Sequence, residues 1–213
     1  VIGAHQRDLP GKTDAGTAYV FLRSGSVWTQ QTKLTAPDGS ASDYFGRSVA
    51  ISDETTVIGA NGVDLGTLGS AGAAYVFVRS GGIWSQQAKL TAPDAAAFDN
   101  FGFSVALETD AAVIGAIFDD HAGGSNAGSA YVYLRSGSVW NQQAKLTASD
   151  AASSDSFGRA VALAGDVAVV GANQDDHAGG SNAGSVYLFS RTGGSWTQRA
   201  KAIASDSAPS DFF

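Results

Sequence analysis

The chain has 213 residues, of which 13 are basic and 20 acidic, for a formal charge of −7; hydrophobic residues make up 44% and charged residues only 15%. This is a folding composition, and its acidity excludes recognition of nucleic acid through a basic face. With no cysteine, disulfides, thiol chemistry and cysteine-ligated zinc are excluded, and no apolar run reaches the ~18 residues that read as a membrane-spanning helix.

The first string of the chain, Val1-Ile2-Gly3-Ala4, returns as Val57-Ile58-Gly59-Ala60, Val113-Ile114-Gly115-Ala116 and Val169-Val170-Gly171-Ala172, a step of 56 residues each time. Trp28, Trp84, Trp140 and Trp196 keep the same step, as do Arg23, Arg79, Arg135 and Arg191, and Lys33, Lys89, Lys145 and Lys201. Phe45, Phe101, Phe157 and Phe213 keep it too, the first three followed by glycine. Ungapped recurrence of this kind marks a repeat architecture. The units fall at about 1–44, 45–100, 101–156 and 157–212 within a single array spanning 1–213.

Taken in order, the best-defined unit predicts four strands. Phe45–Ile51 is the first, Thr56–Ala60 the second, Ala73–Arg79 the third and Ile83–Thr91 the fourth. Ser80-Gly81-Gly82 joins the last two, supplying the positive φ of a tight hairpin. The third strand is apolar on both faces, Tyr75 and Phe77 against Val76 and Val78, which requires a sheet covered on both sides. The fourth alternates, with Trp84, Gln86, Ala88 and Leu90 on one face and Ser85, Gln87 and Lys89 on the other. Nothing shows helical periodicity. The expected fold is therefore all-β: a β-propeller of four-stranded antiparallel blades, four 56-residue repeats with one blade incomplete. The incomplete blade lacks a counterpart of Gly46–Thr56. This phase, with no initiator methionine and no apolar leader, reads as a processed product or as part of a larger propeller.

Phe45-Gly46-Arg47-Ser48-Val49-Ala50, Val57-Ile58-Gly59-Ala60 and Gly72-Ala73-Ala74-Tyr75-Val76-Phe77 resemble the FG-GAP repeat of integrin-α-like propellers. Lys33-Leu34-Thr35-Ala36, Asp38 and Asp43-Tyr44-Phe45-Gly46 make the likeness closest to bacterial extracellular members. The resemblance implies a secreted or cell-surface module for adhesion, ligand binding or scaffolding. Family members often hold Ca²⁺ in an Asp-x-Asp-x-Asp-Gly loop between the Phe-Gly and Gly-Ala strands. Here that interval is a short turn (Ser52–Thr55, Glu108–Asp110, Ala164–Asp166), unable to supply the ~6–8 oxygens Ca²⁺ takes. No cofactor is expected, and the calcium site is not carried over.

The most variable segment follows Gly-Ala. Asp119-Asp120-His121 to Asn126 recurs letter for letter as Asp175-Asp176-His177 to Asn182. Asp119, Asp120, His121, Asn126, Asp175, Asp176, His177 and Asn182 are therefore the candidate residues for a polar ligand or cation. The competing reading is turn chemistry, because Asp8, Asp64, Asp120 and Asp176 hold one position in every unit. Asp43, Asp99, Asp155 and Asp211, and separately Asp38, Asp94, Asp150 and Asp206, read as side chains fixing the linkers between blades. Asp120, His121 and Ser125 lie too close in one glycine-rich loop to form a hydrolytic triad, so no enzymatic activity is expected. The resulting expectation is a non-catalytic module that binds a protein or glycan on one loop face. The alternatives are a lectin-like carbohydrate-binding propeller, or a subunit of an extracellular polymer that self-assembles through the incomplete blade.

Overall fold

The computed structural model describes residues 1–213 and contains strands and turns with no helix. The first sheet has three strands, β1 (Ile2–Ala4), β2 (Thr17–Ser24) and β3 (Val27–Leu34). The second has β4 (Ser48–Ser52), β5 (Thr55–Ala60), β6 (Ala73–Ser80) and β7 (Ile83–Leu90). The third has β8 (Phe101–Glu108), β9 (Ala111–Ala116), β10 (Ser129–Ser136) and β11 (Val139–Leu146). The fourth has β12 (Phe157–Ala164), β13 (Val167–Ala172), β14 (Ser185–Thr192) and β15 (Ser195–Ala202). All neighbours are antiparallel and follow chain order, so each sheet is a meander. Gly81 and Gly82, at φ 57° and 84°, make the turn between β6 and β7, a pair of positive φ values that matches the strand twist.

The core lies between the sheets. Ala18, Val20 and Leu34 of the first sheet enclose Phe45, Ile58, Tyr75 and Phe77 of the second unit. Val57, Ala74, Val76 and Leu90 do the same for Phe101, Ile114, Tyr131, Tyr133 and Trp140. Val113, Ala130, Val132 and Leu146 do so for Phe157, Val170, Tyr187 and Phe189. Each sheet thus presents one face to its predecessor and the other to its successor, which is why the third strand of each unit is apolar on both sides. These are the blades of a β-propeller.

The Phe-Gly pair closes each seam. Gly72 and Phe101 form a parallel bridge, with the Phe101 amide donating to the Ala71 carbonyl at 3.0 Å. The Phe101 ring is fully buried, edge-on to Tyr131 at 5.4 Å and Tyr133 at 6.1 Å. Burying such a ring contributes about 1.5–3 kcal/mol. Phe45 and Phe157 repeat the arrangement.

The fourth strand departs from the expected alternation. Val76 pairs with Ala88 and Phe77 with Gln86, leaving Gln87 as a bulge. One extra residue reverses the faces beyond it. Trp84 therefore packs toward the first sheet and Leu90 toward the third, not on one face as strict alternation predicts. The reversal aims Gln87 at the next blade, where its Oε1 accepts the Trp140 indole N–H at 2.8 Å. Trp84 and Trp196 make the same bond to Gln31 and Gln143.

Candidate functional site

The loops that follow β1, β5, β9 and β13 form one rim of the array. In every unit one carboxylate clasps its own loop. Oδ1 of Asp8, Asp64, Asp120 and Asp176 accepts the amide of Asp14, Ser70, Asn126 and Asn182 at 2.9, 2.8, 2.6 and 2.6 Å. The four donating residues all have positive φ, a conformation that Asp and Asn tolerate best among non-glycine residues. Each loop is then tied to the linker entering the next unit, as in the bonds Ser42 N to Thr13 O and Ser154 N to Ser125 O. The rim is a rigid, continuous surface.

The paired acidic candidates separate into two roles. Asp120 and Asp176 are exposed loop clasps. Asp119 and Asp175 are buried and sit in a network that crosses the seam. Asp119 Oδ2 accepts the Ser129 hydroxyl at 2.6 Å and lies 2.8 Å from Lys145 Nζ. Lys145 Nζ is also 2.7 Å from Asp94 Oδ2 on the preceding unit, and Tyr131 OH lies 2.9 Å from Asp94 and 3.1 Å from Asp119. Asp175, Ser185, Tyr187, Lys201 and Asp150 reproduce this arrangement. In the second unit Val63 stands where the third and fourth have Asp119 and Asp175, and Lys89 pairs with Asp38 alone. Burial pushes the carboxyls of Asp38, Asp94 and Asp150 up, but the lysine and tyrosine donors outweigh it and hold them below the ordinary range. Their stabilisation is present above that range and is lost as pH falls through the lowered values.

His121 and His177 are also committed inside their loops. Nδ1 accepts the amide of Gly123 or Gly179 at 3.0 Å in both, so Nε2 carries the proton and donates to the carbonyl of Gly128 at 3.1 Å or Gly184 at 3.0 Å. No group of three or more acidic or histidine side chains is placed to hold a metal ion. In the short turns, Glu54, Asp110 and Asp166 pair with Arg79, Arg135 and Arg191.

The two further acidic series differ from each other. Asp43, Asp99 and Asp155 each accept the amide three residues earlier (Ser40, Ala96, Ala152) at 2.6–2.7 Å. Burial raises all three, Asp99 to about 6. Asp38, Asp94 and Asp150 do not stay within their linkers as expected. Their partners are the lysine 51 residues on and, for Asp38 and Asp94, the tyrosine 37 residues on. The recurrence of both charges at one fixed offset is the signal that could have revealed the cross-blade pair.

Beside these exposed carboxylates the rim presents two aromatic rings. Phe98 is 67% exposed and Phe118 38%, both on the side where the second unit meets the third. The Phe118 amide donates to the carbonyl of Asp99, next to Phe98, at 3.3 Å. Beside Phe118 lies a cleft of about 320 Å³ lined by Asn126, Ser154, Ser156 and Gln174. Neither phenylalanine belongs to the 56-residue pattern: Gly62 and Gln174 occupy the equivalents of Phe118, and Ser42 and Ser154 those of Phe98. That departure from the repeat was the available sequence signal.

No helix is long and apolar enough to cross a membrane. No curated protein matches the chain. The sequence profile of the FG-GAP repeat matches residues 28–77, 84–133 and 140–189, each stretch running from the last strand of one blade through the third strand of the next, across the seam that Phe45, Phe101 or Phe157 plugs. With its seams built from the matched residues and most of its length covered, the chain belongs to the FG-GAP repeat family.

Proposed function

We propose that this protein is a non-catalytic extracellular binding or adhesion module that holds a protein or glycan ligand on its loop rim. The observation that carries the reading is the exposed Phe118 ring lining a neutral polar cleft, with the exposed Phe98 ring on the linker of the adjoining seam. Exposed aromatic side chains on a rigid scaffold supply contact area at little ordering cost. The His121 and His177 nitrogens are occupied by backbone and the Asp119 and Asp175 carboxylates by lysine, which supports binding without catalysis. A secreted or surface location accords with the family.

The cleft favours one second reading, lectin-like recognition. An aromatic face flanked by Asn126, Ser154 and Gln174 offers stacking and amide or hydroxyl bonds to a sugar. Arrays of defined glycans and of purified cell-surface proteins test both. The chain is expected to be retained on one of them, and Phe98→Ser with Phe118→Ser is expected to weaken retention at least about tenfold with the unfolding midpoint unchanged. Retention confined to the glycan array selects the lectin reading. Silence on both arrays, or retention indifferent to the two substitutions, contradicts the proposal.

A further inference from the structure

Arg47, Phe103 and Arg159 occupy one position of the 56-residue repeat, at the start of the first strand in three consecutive blades. Each is delivered there by a tight turn, its amide donating to the carbonyl three residues back: Tyr44 at 2.9 Å, Asn100 at 3.2 Å and Ser156 at 3.2 Å. In the third and fourth blades the strand pairing shifts at this point, between Phe101 and Ser104 and between Phe157 and Ala160, which frees the side chain from the alternation of its own sheet. Two bonds across the seams fix the three residues in register. Ser48 Oγ donates to the Gly102 carbonyl at 2.9 Å and Ser104 Oγ to the Gly158 carbonyl at 2.7 Å, and these four residues are the chain neighbours of Arg47, Phe103 and Arg159.

The result is one ring shared by two cations. The guanidinium carbon of Arg47 lies 4.1 Å and that of Arg159 4.6 Å from the centre of the Phe103 ring. Phe103 has a blade on each side and is still partly exposed, so the cluster is formed, and reached by solvent, within the array. Cation–π attraction holds each guanidinium to the ring but does not relieve the repulsion between them. Burial and the Arg159 charge together push the Arg47 guanidinium below its ordinary value. Other recurring cations are matched, Arg79, Arg135 and Arg191 by turn carboxylates and Lys89, Lys145 and Lys201 by aspartates of the preceding unit. Arg47 and Arg159 enter no such pair.

We propose that Arg47, Phe103 and Arg159 form a binding site for a tetrahedral oxyanion, a sulfate or phosphate group. A guanidinium donates N–H bonds in a planar fork that matches such oxygens, and stacking on a ring leaves those in-plane donors free. One dianion held by two forks neutralises both and removes their repulsion. In a chain of formal charge −7 the pair is a local reversal of sign, which draws an anion to this point. The site shares no residue with the cleft at Phe118, so it stands or falls independently of what the rim binds.

Titration calorimetry of the whole chain with inorganic sulfate and inorganic phosphate, against chloride at matched ionic strength, tests this. Saturable binding of one sulfate or phosphate per chain is expected, with none for chloride. Arg47→Gln and Arg159→Gln are each expected to weaken it at least about tenfold. Phe103→Glu gives the two guanidiniums a carboxylate of their own and is expected to abolish it. Circular dichroism verifies that each variant keeps the fold. Glucose 6-sulfate separates the sources of the group: tighter binding than inorganic sulfate assigns the site to an ester carried by a glycan, and equal or weaker binding assigns it to the free ion. Absence of saturable binding to both inorganic ions overturns the proposal, as does binding that the two arginine substitutions leave unchanged.

Discussion

Lys145→Met is expected to lower the unfolding free energy by about 3–5 kcal/mol, while Lys89→Met, at the same place in the preceding repeat, costs about 0–1 kcal/mol. Both lysines cross a seam to an aspartate that is half-exposed, Asp94 or Asp38, at 2.7 and 2.6 Å. Only Lys145 also neutralises a buried carboxylate. The Asp119 side chain is 3% exposed, and without the ammonium its charge stays buried with only the Ser129 and Tyr131 hydroxyls for partners. In the second unit Val63 fills that place, so removing Lys89 strands no buried charge. Asp119→Val added to Lys145→Met recreates the second unit's environment and is expected to recover most of the loss. Urea unfolding of the four proteins measures the difference. Equal costs at Lys89 and Lys145 contradict the role given to Asp119.

Phe101→Ala is expected to cost a further class of stability, about 3–5 kcal/mol, because it empties a fully enclosed space between two blades. The ring has no exposed surface and sits edge-on to both Tyr131 and Tyr133. Both edge-on contacts are lost with it, each contributing about 0.5–1.5 kcal/mol beyond area. The same substitution at Phe213 is expected to stay within about 0.5 kcal/mol, since that ring is half in solvent with no tyrosine over it. Urea unfolding of the two variants separates them. A large loss at Phe213 would mean that the phenylalanine stabilises its own linker and not the seam.

Much of this architecture is legible in the chain itself. The 56-residue step places tryptophan, phenylalanine, lysine and arginine at equivalent sites, and a strand apolar on both faces demands neighbours on both sides. Period-2 reading fails at Gln87, because a bulge is set by pairing with the adjacent strand and leaves no mark in the alternation. It falls short again at Asp38, Asp94 and Asp150, which sit in linker turns but send their carboxylates to lysines a blade away, so a local reading finds the turn and misses the ion pair. The split between Asp119 and Asp120 is hidden for a related reason. Neighbouring residues in one loop face opposite environments, one the seam and one the solvent, and only the packing of the next sheet tells them apart. Phe98 and Phe118 stand out by breaking the repeat, a signal easily lost when attention rests on what recurs.

Each sheet is pressed face to face on the next, and paired glycine substitutions probe that packing most directly. A Cβ on Gly59 would lie 2.0 Å from the Gly102 carbonyl oxygen of the following blade, while one on the equivalent Gly171 meets nothing nearer than the Ala160 methyl at 3.6 Å. Neither residue has positive φ, so any difference comes from the neighbouring sheet and not from local backbone strain. Urea unfolding is expected to show Gly59→Ala destabilised by about 1–3 kcal/mol or more and Gly171→Ala within about 0.5 kcal/mol of the parent. Equal effects at the two positions would contradict the stacked arrangement.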